Sequence, residues 1–248
     1  MYANRLVINA EKTHLMVMAR KGNKEREKVS MNAGGYTIRP SETEKLLGGI
    51  LHQSLNWKQH IQGHKSSLMS QLCSRLNGLR KVCVNASFKT RLKIANGVFM
   101  SKLAYLITLW GGANQYLVKA VQVKQLAAAR AVCGVASLRW SRRKLLEGVG
   151  WLSIKQLIFY HTVLQVQKTL HTQKPRALFQ ALSSTYPYRT RSATAGQIRQ
   201  DPGFSTLSTF KYRAMQSYNC VPESVRQGSI SSVKKKLRKW IKCSIPID

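Results

Sequence analysis

Near Trp57 the apolar residues change rhythm, and that change decides more about the fold than any count of residue types. Upstream they alternate in short runs split by turn-forming residues; downstream they recur every three or four positions, as on one helix face. Leu68, Leu72, Leu76, Leu79 and Val82 mark such a face, with Arg75, Arg80 and Lys81 off it, and predict a helix ending near residues 84–85. Ser87 is a suitable N-cap for a second helix carrying Phe88, Leu92, Ala95, Phe99, Leu103, Leu106 and Trp110 along one stripe. Lys89, Arg91, Lys93 and Lys102 lie around its outer faces, and Gly111-Gly112 should stop it. A third helix is predicted over about 115–133, with Leu117, Val121, Leu126 and Ala129 inward, so three successive helices joined by short turns suggest a bundle.

Further along, Ser153 is placed to cap a long helix through about His171, bearing Ile154, Leu157, Ile158 and Leu164. Pro175 then opens a short helix, and residues 183–203 have turn chemistry without a period, which reads as a surface loop or linker. A last helix at about 231–243 sets Val233, Leu237, Trp240 and Ile241 on one side and Lys234, Lys235, Lys236, Arg238, Lys239 and Lys242 on the other. Upstream of Trp57, residues 13–19 and 35–39 have strand-like alternation compatible with a hairpin. The run LLGGILHQSL at 46–55 reads as a third strand, whose two glycines suit either a close backbone approach or a simple bulge or bend. The expected class is therefore mainly α with a small N-terminal antiparallel β element.

Charge limits the partner. Against 41 Lys and Arg stand 9 Asp and Glu, a net charge of +32 over 248 residues, which points to a polyanion, nucleic acid first and an anionic membrane surface as the rival. The most apolar window, 103–113, is shorter than the roughly 20 residues a spanning helix needs, and the N-terminus has no apolar core of signal-peptide length, so an intracellular, nuclear or cytoplasmic, protein without membrane partnership is expected. Five scattered cysteines, Cys73, Cys83, Cys133, Cys220 and Cys243, with no C-x-x-C pair, read as free buried thiols.

The acid census limits chemistry. Two-metal nucleotidyl transfer needs clustered carboxylates, yet the chain has two aspartates, Asp201 in a DPG turn and Asp248 at its end, and its glutamates pair only as Glu25/Glu27 and Glu42/Glu44 in polar connectors. His60 and His64 stand four apart without a third ligand at motif spacing, which favours exposed polar residues over a zinc site. His161 falls within an apolar stripe and reads as a hydrogen-bonded packing histidine. No phosphate loop, nucleophile elbow or H-E-x-x-H helix occurs. Basic helices with interleaved aromatics remain (Trp57, Phe88, Trp110, Trp140, Trp151, Tyr160), most of the rings being expected in the core.

Laid out in order, several stretches resemble the C-terminal part of a reverse transcriptase, an RNA-directed DNA polymerase, from a non-LTR (LINE-type) retrotransposon. LVINAEKTHLMVM at 6–18 looks like that family's fourth polymerase motif, a helix end followed by N-x-x-K-T and a strand. EKLLGGILHQSLNWKQHI at 44–61 looks like its leucine-glycine hairpin, the primer grip. SFKTRLKIANGVFMSKLAYLITLWGG at 87–112 resembles the thumb, and GWLSIKQLIFYHTVL, YPYRTR and FKYRAMQSYNCVPESVR resemble segments found downstream.

The resemblance implies a palm remnant over 1–56, a helical thumb over 57–135 and a basic helical extension over 136–248. It implies that Lys12 matches a lysine that assists the departing pyrophosphate, that Leu47, Gly48 and Gly49 approach the primer terminus, and that Lys89, Arg91, Lys93 and Lys102 face the template–primer backbone. The family's three palm aspartates precede the matching segment and have no counterpart here, so the chain alone is expected not to polymerise and to hold no cofactor, although magnesium would serve the intact parent enzyme. The expected partners are RNA, DNA or their hybrid, with nuclear import machinery as a further use of Lys234, Lys235, Lys236, Arg238 and Lys239. A domesticated, non-enzymatic nucleic-acid-binding or scaffold protein is the alternative.

Overall fold

The computed structural model describes residues 9–18, 28–33, 35–134, 140–183, 196–198 and 210–247. The chain is mainly helical, with antiparallel β structure near its N-terminus, and falls into two compact units, residues 1–71 and 72–248.

The N-terminal unit is built from two short hairpins. Strand β1 (Met31–Ala33) pairs with β2 (Tyr36–Ile38), and β3 (Thr43–Leu46) pairs with β4 (Gly49–His52), both antiparallel. The partner of residues 36–38 is therefore the segment at 31–33, not 13–19. Of the latter, residues 13–18 are described and contribute a single parallel bridge, Leu15 to Pro40, with the Ser41 amide donating to the Leu15 carbonyl at 2.8 Å. The two glycines of LLGG have different settings: Gly48 lies in a turn and Gly49 in a strand. Leu47 and Gly48 form a two-residue turn with φ of 47° and 78°, and Gly49 begins β4 opposite Leu46. Positive φ at both central positions is what a primed hairpin turn needs, because its twist matches that of the flanking strands. Ile50 and Ile61 are buried here, and the buried His60 ring accepts the Ile50 amide on Nδ1 at 3.2 Å.

Helix α1 (Leu68–Cys83) buries Leu68, Leu72, Leu76 and Leu79 as the spacing predicts, but Val82 is half exposed and Cys83, four residues after Leu79, takes the next inward position. Ser87 caps α2 (Phe88–Ile94) by accepting the Thr90 amide. The helix continues as a π-helical segment, Ala95–Met100, in which the Ser101 amide reaches back to the Asn96 carbonyl, and then as α3 (Ser101–Ala104). It ends before the glycine pair: Leu106 takes the left-handed conformation, φ 55°, and α4 (Ile107–Trp110) follows. Trp110 still reaches the core, its indole donating to the Tyr105 carbonyl at 3.1 Å. Gly111 matters for another reason, since a Cβ there would stand 2.6 Å from the Ile107 carbonyl oxygen and 2.7 Å from an Ile158 methyl.

Helix α5 (Gln115–Cys133) buries Leu117, Val121, Leu126 and Ala129 as expected and closes at Gly134 in the left-handed cap conformation. The short α6 (Arg142–Gly148) carries two inward leucines, Leu145 and Leu146. Helix α7 (Ile154–Thr172) opens with a full capping box between Ser153 and Gln156. It packs against α4, α5, α8 (Arg176–Leu182), α9 (Phe210–Asn219) and α11 (Ile230–Ser244), and its buried positions, from Ile154 to Thr169, spread around the helix instead of forming one stripe. A helix enclosed on most sides satisfies its polar groups mainly internally, although Thr162 Oγ1 is closed from solvent without a partner. Gln156 donates to the Ile245 carbonyl, and Gln167 donates to the Arg226 carbonyl while accepting from the Tyr218 hydroxyl. On the neighbouring α5, Gln122 accepts the Ile154 amide and donates to the fully buried Gln125, which donates to the Leu152 carbonyl. The segment α10 (Glu223–Arg226) leads into α11, which buries Val233, Leu237 and Ile241 and rests Trp240 beside Phe159, ring centroids 5.9 Å apart. Of the predicted loop at 183–203, residues 184–195 and 199–203 lie outside the described residues, as do Asp201 and Asp248.

Candidate nucleic-acid interface

In the N-terminal unit, Asn9 organises the turn around Lys12. The Lys12 amide donates to both the backbone carbonyl and the side-chain oxygen of Asn9, each at 3.2 Å, and the Thr13 hydroxyl donates to the same carbonyl at 2.7 Å. The N-x-x-K-T spacing thus has a local structural reason: asparagine and threonine close a 3-10 turn, Ala10–Lys12, and leave the lysine side chain exposed. Leu47, at the tip of the β3–β4 hairpin, is 82% exposed, while Gly49 is buried.

In the C-terminal unit the four cations assigned to one surface separate into two kinds. Lys89 and Lys93 are exposed and stand four residues apart on α2, so their heads project from one face. Arg91 points elsewhere. Its guanidinium lies against Gly134 at the C-terminal end of α5, close enough that a Cβ at Gly134 would stand 2.7 Å from Nη1, and its buried Nε has no acceptor. A cation at a helix C-terminus is stabilised by the carbonyl dipoles gathered there. The Cys83 and Cys133 thiols are pushed up by burial and drawn partly back by this same charge. Lys102 is half-buried, its ammonium 5.3 Å from the Tyr105 ring centre. Of the four, Lys89 and Lys93 are presented outward, Arg91 is half-buried beside Gly134, and Lys102 is half-buried beside Tyr105.

The cations of α11 are all exposed, and two of them also reach backbone carbonyls. Lys236 donates to the Ser224 and Gln227 carbonyls, and Arg238 donates to the Gly150 carbonyl at 2.8 Å. Lys234, Lys235, Lys239 and Lys242 keep exposed positions. Two structural cations carried no sequence signal, because neither lies on a clean stripe. Arg226 is buried and donates to the Val221 and Gly196 carbonyls over the Tyr218 ring, and Arg213 donates to the Thr108 carbonyl at 3.0 Å.

Other expectations need correction. Of the six aromatics expected mainly in the core, Trp110 and Trp151 are buried, Trp57, Trp140 and Tyr160 are half-buried, and Phe88 is exposed. His60 is not an exposed polar residue but an internal acceptor, whereas His64 is exposed and accepts the Ser66 amide. Cys220 and Cys243 are exposed, so the thiols are free without all being buried. His161 is half-buried beside Tyr160, and burial pulls its pKa below the usual 6.5.

Among the described residues no group of three or more His, Cys, Asp or Glu converges, and no helix is long and apolar enough to cross a membrane. Glu44 pairs with His14, Glu147 pairs with Arg143, and Glu223 accepts from Gln227. What fold and surface define together is a strongly basic, mainly helical protein. No protein-family model, no curated protein and no solved structure matches the chain.

Proposed function

We propose that the chain binds RNA, DNA or their hybrid through backbone charge, as a fragment of a non-LTR reverse transcriptase whose catalytic aspartates are absent and which does not polymerise by itself. The observation that carries the binding is arithmetic: even if all 9 acidic residues were paired, most of the 41 Lys and Arg would remain without an acidic partner in the chain. The exposed Lys89 and Lys93 on α2 and the outward lysines of α11 support contact with a phosphate backbone, a kind of contact that carries no sequence information. The reverse-transcriptase assignment rests on the order of the resembling segments, with 1–56 as palm remnant, 57–135 as thumb and 136–248 as extension.

The test is affinity for a primer–template duplex across salt concentration. Each neutralised phosphate contributes about −0.9 to the log–log slope on a B-form duplex, so replacing Lys89 and Lys93 together by glutamine should reduce its magnitude by about 1.8. Arg91→Gln should lower the melting temperature and leave the slope in place. A slope near zero for the unmodified chain would overturn backbone binding. Template-primed nucleotide incorporation that is abolished by substitutions within these 248 residues would overturn the claim of inactivity.

A further inference from the structure

A cavity of about 590 Å³ opens in the C-terminal unit between the N-terminal ends of α5 and α7. Among the described residues, Lys119, Arg142, Lys155 and Arg213 line it, no carboxylate does, and its apolar wall includes Val118, Ile154 and Ile158. Arg213 is the least satisfied of these cations. One hydrogen bond, from Nη2 to the Thr108 carbonyl, holds its guanidinium, while Nε and Nη1 are closed from solvent with no acceptor, and burial draws its pKa down. A half-buried charge with a single carbonyl partner gains from an anion brought into the space it lines.

The two helix ends differ. At α7 the capping box and Gln122 occupy the first amides. At α5 the Asn114 side chain caps nothing, although asparagine is a favoured cap, and the first-turn amides of Gln115 and Tyr116 lie where the helix itself supplies no acceptor. Positive partial charge and formal charge therefore meet around one open cavity. Its volume lies within the roughly 300–1,000 Å³ of small-ligand sites, far more than a lone inorganic anion fills. A triphosphate travels with a divalent cation that usually takes a protein carboxylate, and none of the described residues lining this cavity supplies one.

We propose that this cavity takes a nucleoside monophosphate unit, its phosphate against Lys119, Arg142 and Arg213 and its base and sugar over the aliphatic wall. The unit is either a free nucleotide or the 5′-phosphorylated end of a strand. The site is separate from the backbone contacts of Lys89 and Lys93 and does not depend on them.

Calorimetric titration of the full chain tests it with AMP, adenosine and inorganic phosphate as probes. AMP should bind at least about tenfold more tightly than adenosine or phosphate, the amount one charge-assisted hydrogen bond supplies. Arg213→Met should remove that preference. Because this variant removes a buried tie and can fail to fold, the exposed pair Lys119→Gln with Arg142→Gln provides the second arm and should weaken AMP at least about tenfold. Lys89→Gln with Lys93→Gln should leave AMP affinity unchanged, which separates this site from the proposed duplex interface. Equal binding of AMP and adenosine, or an unchanged AMP affinity in the Lys119/Arg142 variant, overturns the proposal. Competition assigns the source: displacement of AMP by a 5′-phosphorylated oligonucleotide but not its 5′-hydroxyl twin supports a strand end, and displacement by neither supports the free nucleotide.

Discussion

Among residues 9–71 the enclosed apolar side chains are few, chiefly Ile50, Ile61 and Leu68, and the strands are three or four residues long. Among residues 72–247, Phe99, Leu103, Trp110, Val132, Leu152 and Val163 are all closed from solvent, and buried glutamines and Arg226 tie helix to helix. The first region is organised by turn geometry, the Leu47–Gly48 turn and the Asn9 turn above all. The second is organised by volume. Substitutions that alter backbone preference should therefore register most in the first, and substitutions that remove side-chain volume most in the second.

The sharpest way to break this contrast is Trp110→Ala. Removing a fully buried indole leaves a cavity and costs about 3–5 kcal/mol, enough to shift thermal unfolding of the chain by many degrees. A loss below about 1 kcal/mol would mean that the helical region does not depend on volume as described. Next comes Leu47→Asn. A leucine at φ 47° carries roughly 1–2 kcal/mol of left-handed strain, and asparagine followed by glycine is the preferred pair for this turn, so the variant should gain up to about 1 kcal/mol and slow amide exchange in β3 and β4. No gain would show that the turn does not limit the hairpin.

The smallest effect concerns His161, which shares a cavity with Lys168 and Lys234. Burial lowers its native pKa, so the neutral ring is the folded form. As pH falls through 6.5, the unfolded chain binds a proton that the native ring still refuses, and stability declines until the native ring also protonates. His161→Gln should flatten that part of the profile between pH 8 and 5, read from melting temperatures. An unchanged profile would place the acid sensitivity elsewhere.

Helices with one clean apolar stripe are legible in the sequence. Gln115–Cys133 and Ile230–Ser244 follow the 3.6 period, and the serines at 87 and 153 cap as their chemistry suggests. Three kinds of feature were hidden. Phe210–Asn219 mixes polar with apolar residues and is held by Arg213 and Tyr218, whose partners are distant in sequence. The strands are too short for alternation to fix their pairing, so residues 31–33 replace 13–19 as partner of 36–38. Arg91 and the lysines beside it look alike as letters, and only the nearness of Gly134 distinguishes a structural cation from one offered outward. The cavity lined by Arg213 draws residues from four separate stretches, which no motif spacing records.

The π-helical segment at Ala95–Met100 bears on how the chain tolerates changes of length. Its ring from the Asn96 carbonyl to the Ser101 amide encloses one residue more than an α-helical ring does. Loss of a single residue there would let the ring close as ordinary helix, with Phe99 or its replacement still turned inward. Loss of one residue within Gln115–Cys133 would instead rotate everything beyond it by about 100° and put Val132 into solvent. Two helices of the same bundle thus differ in what a short deletion does to them, and the more forgiving one carries Lys89 and Lys93.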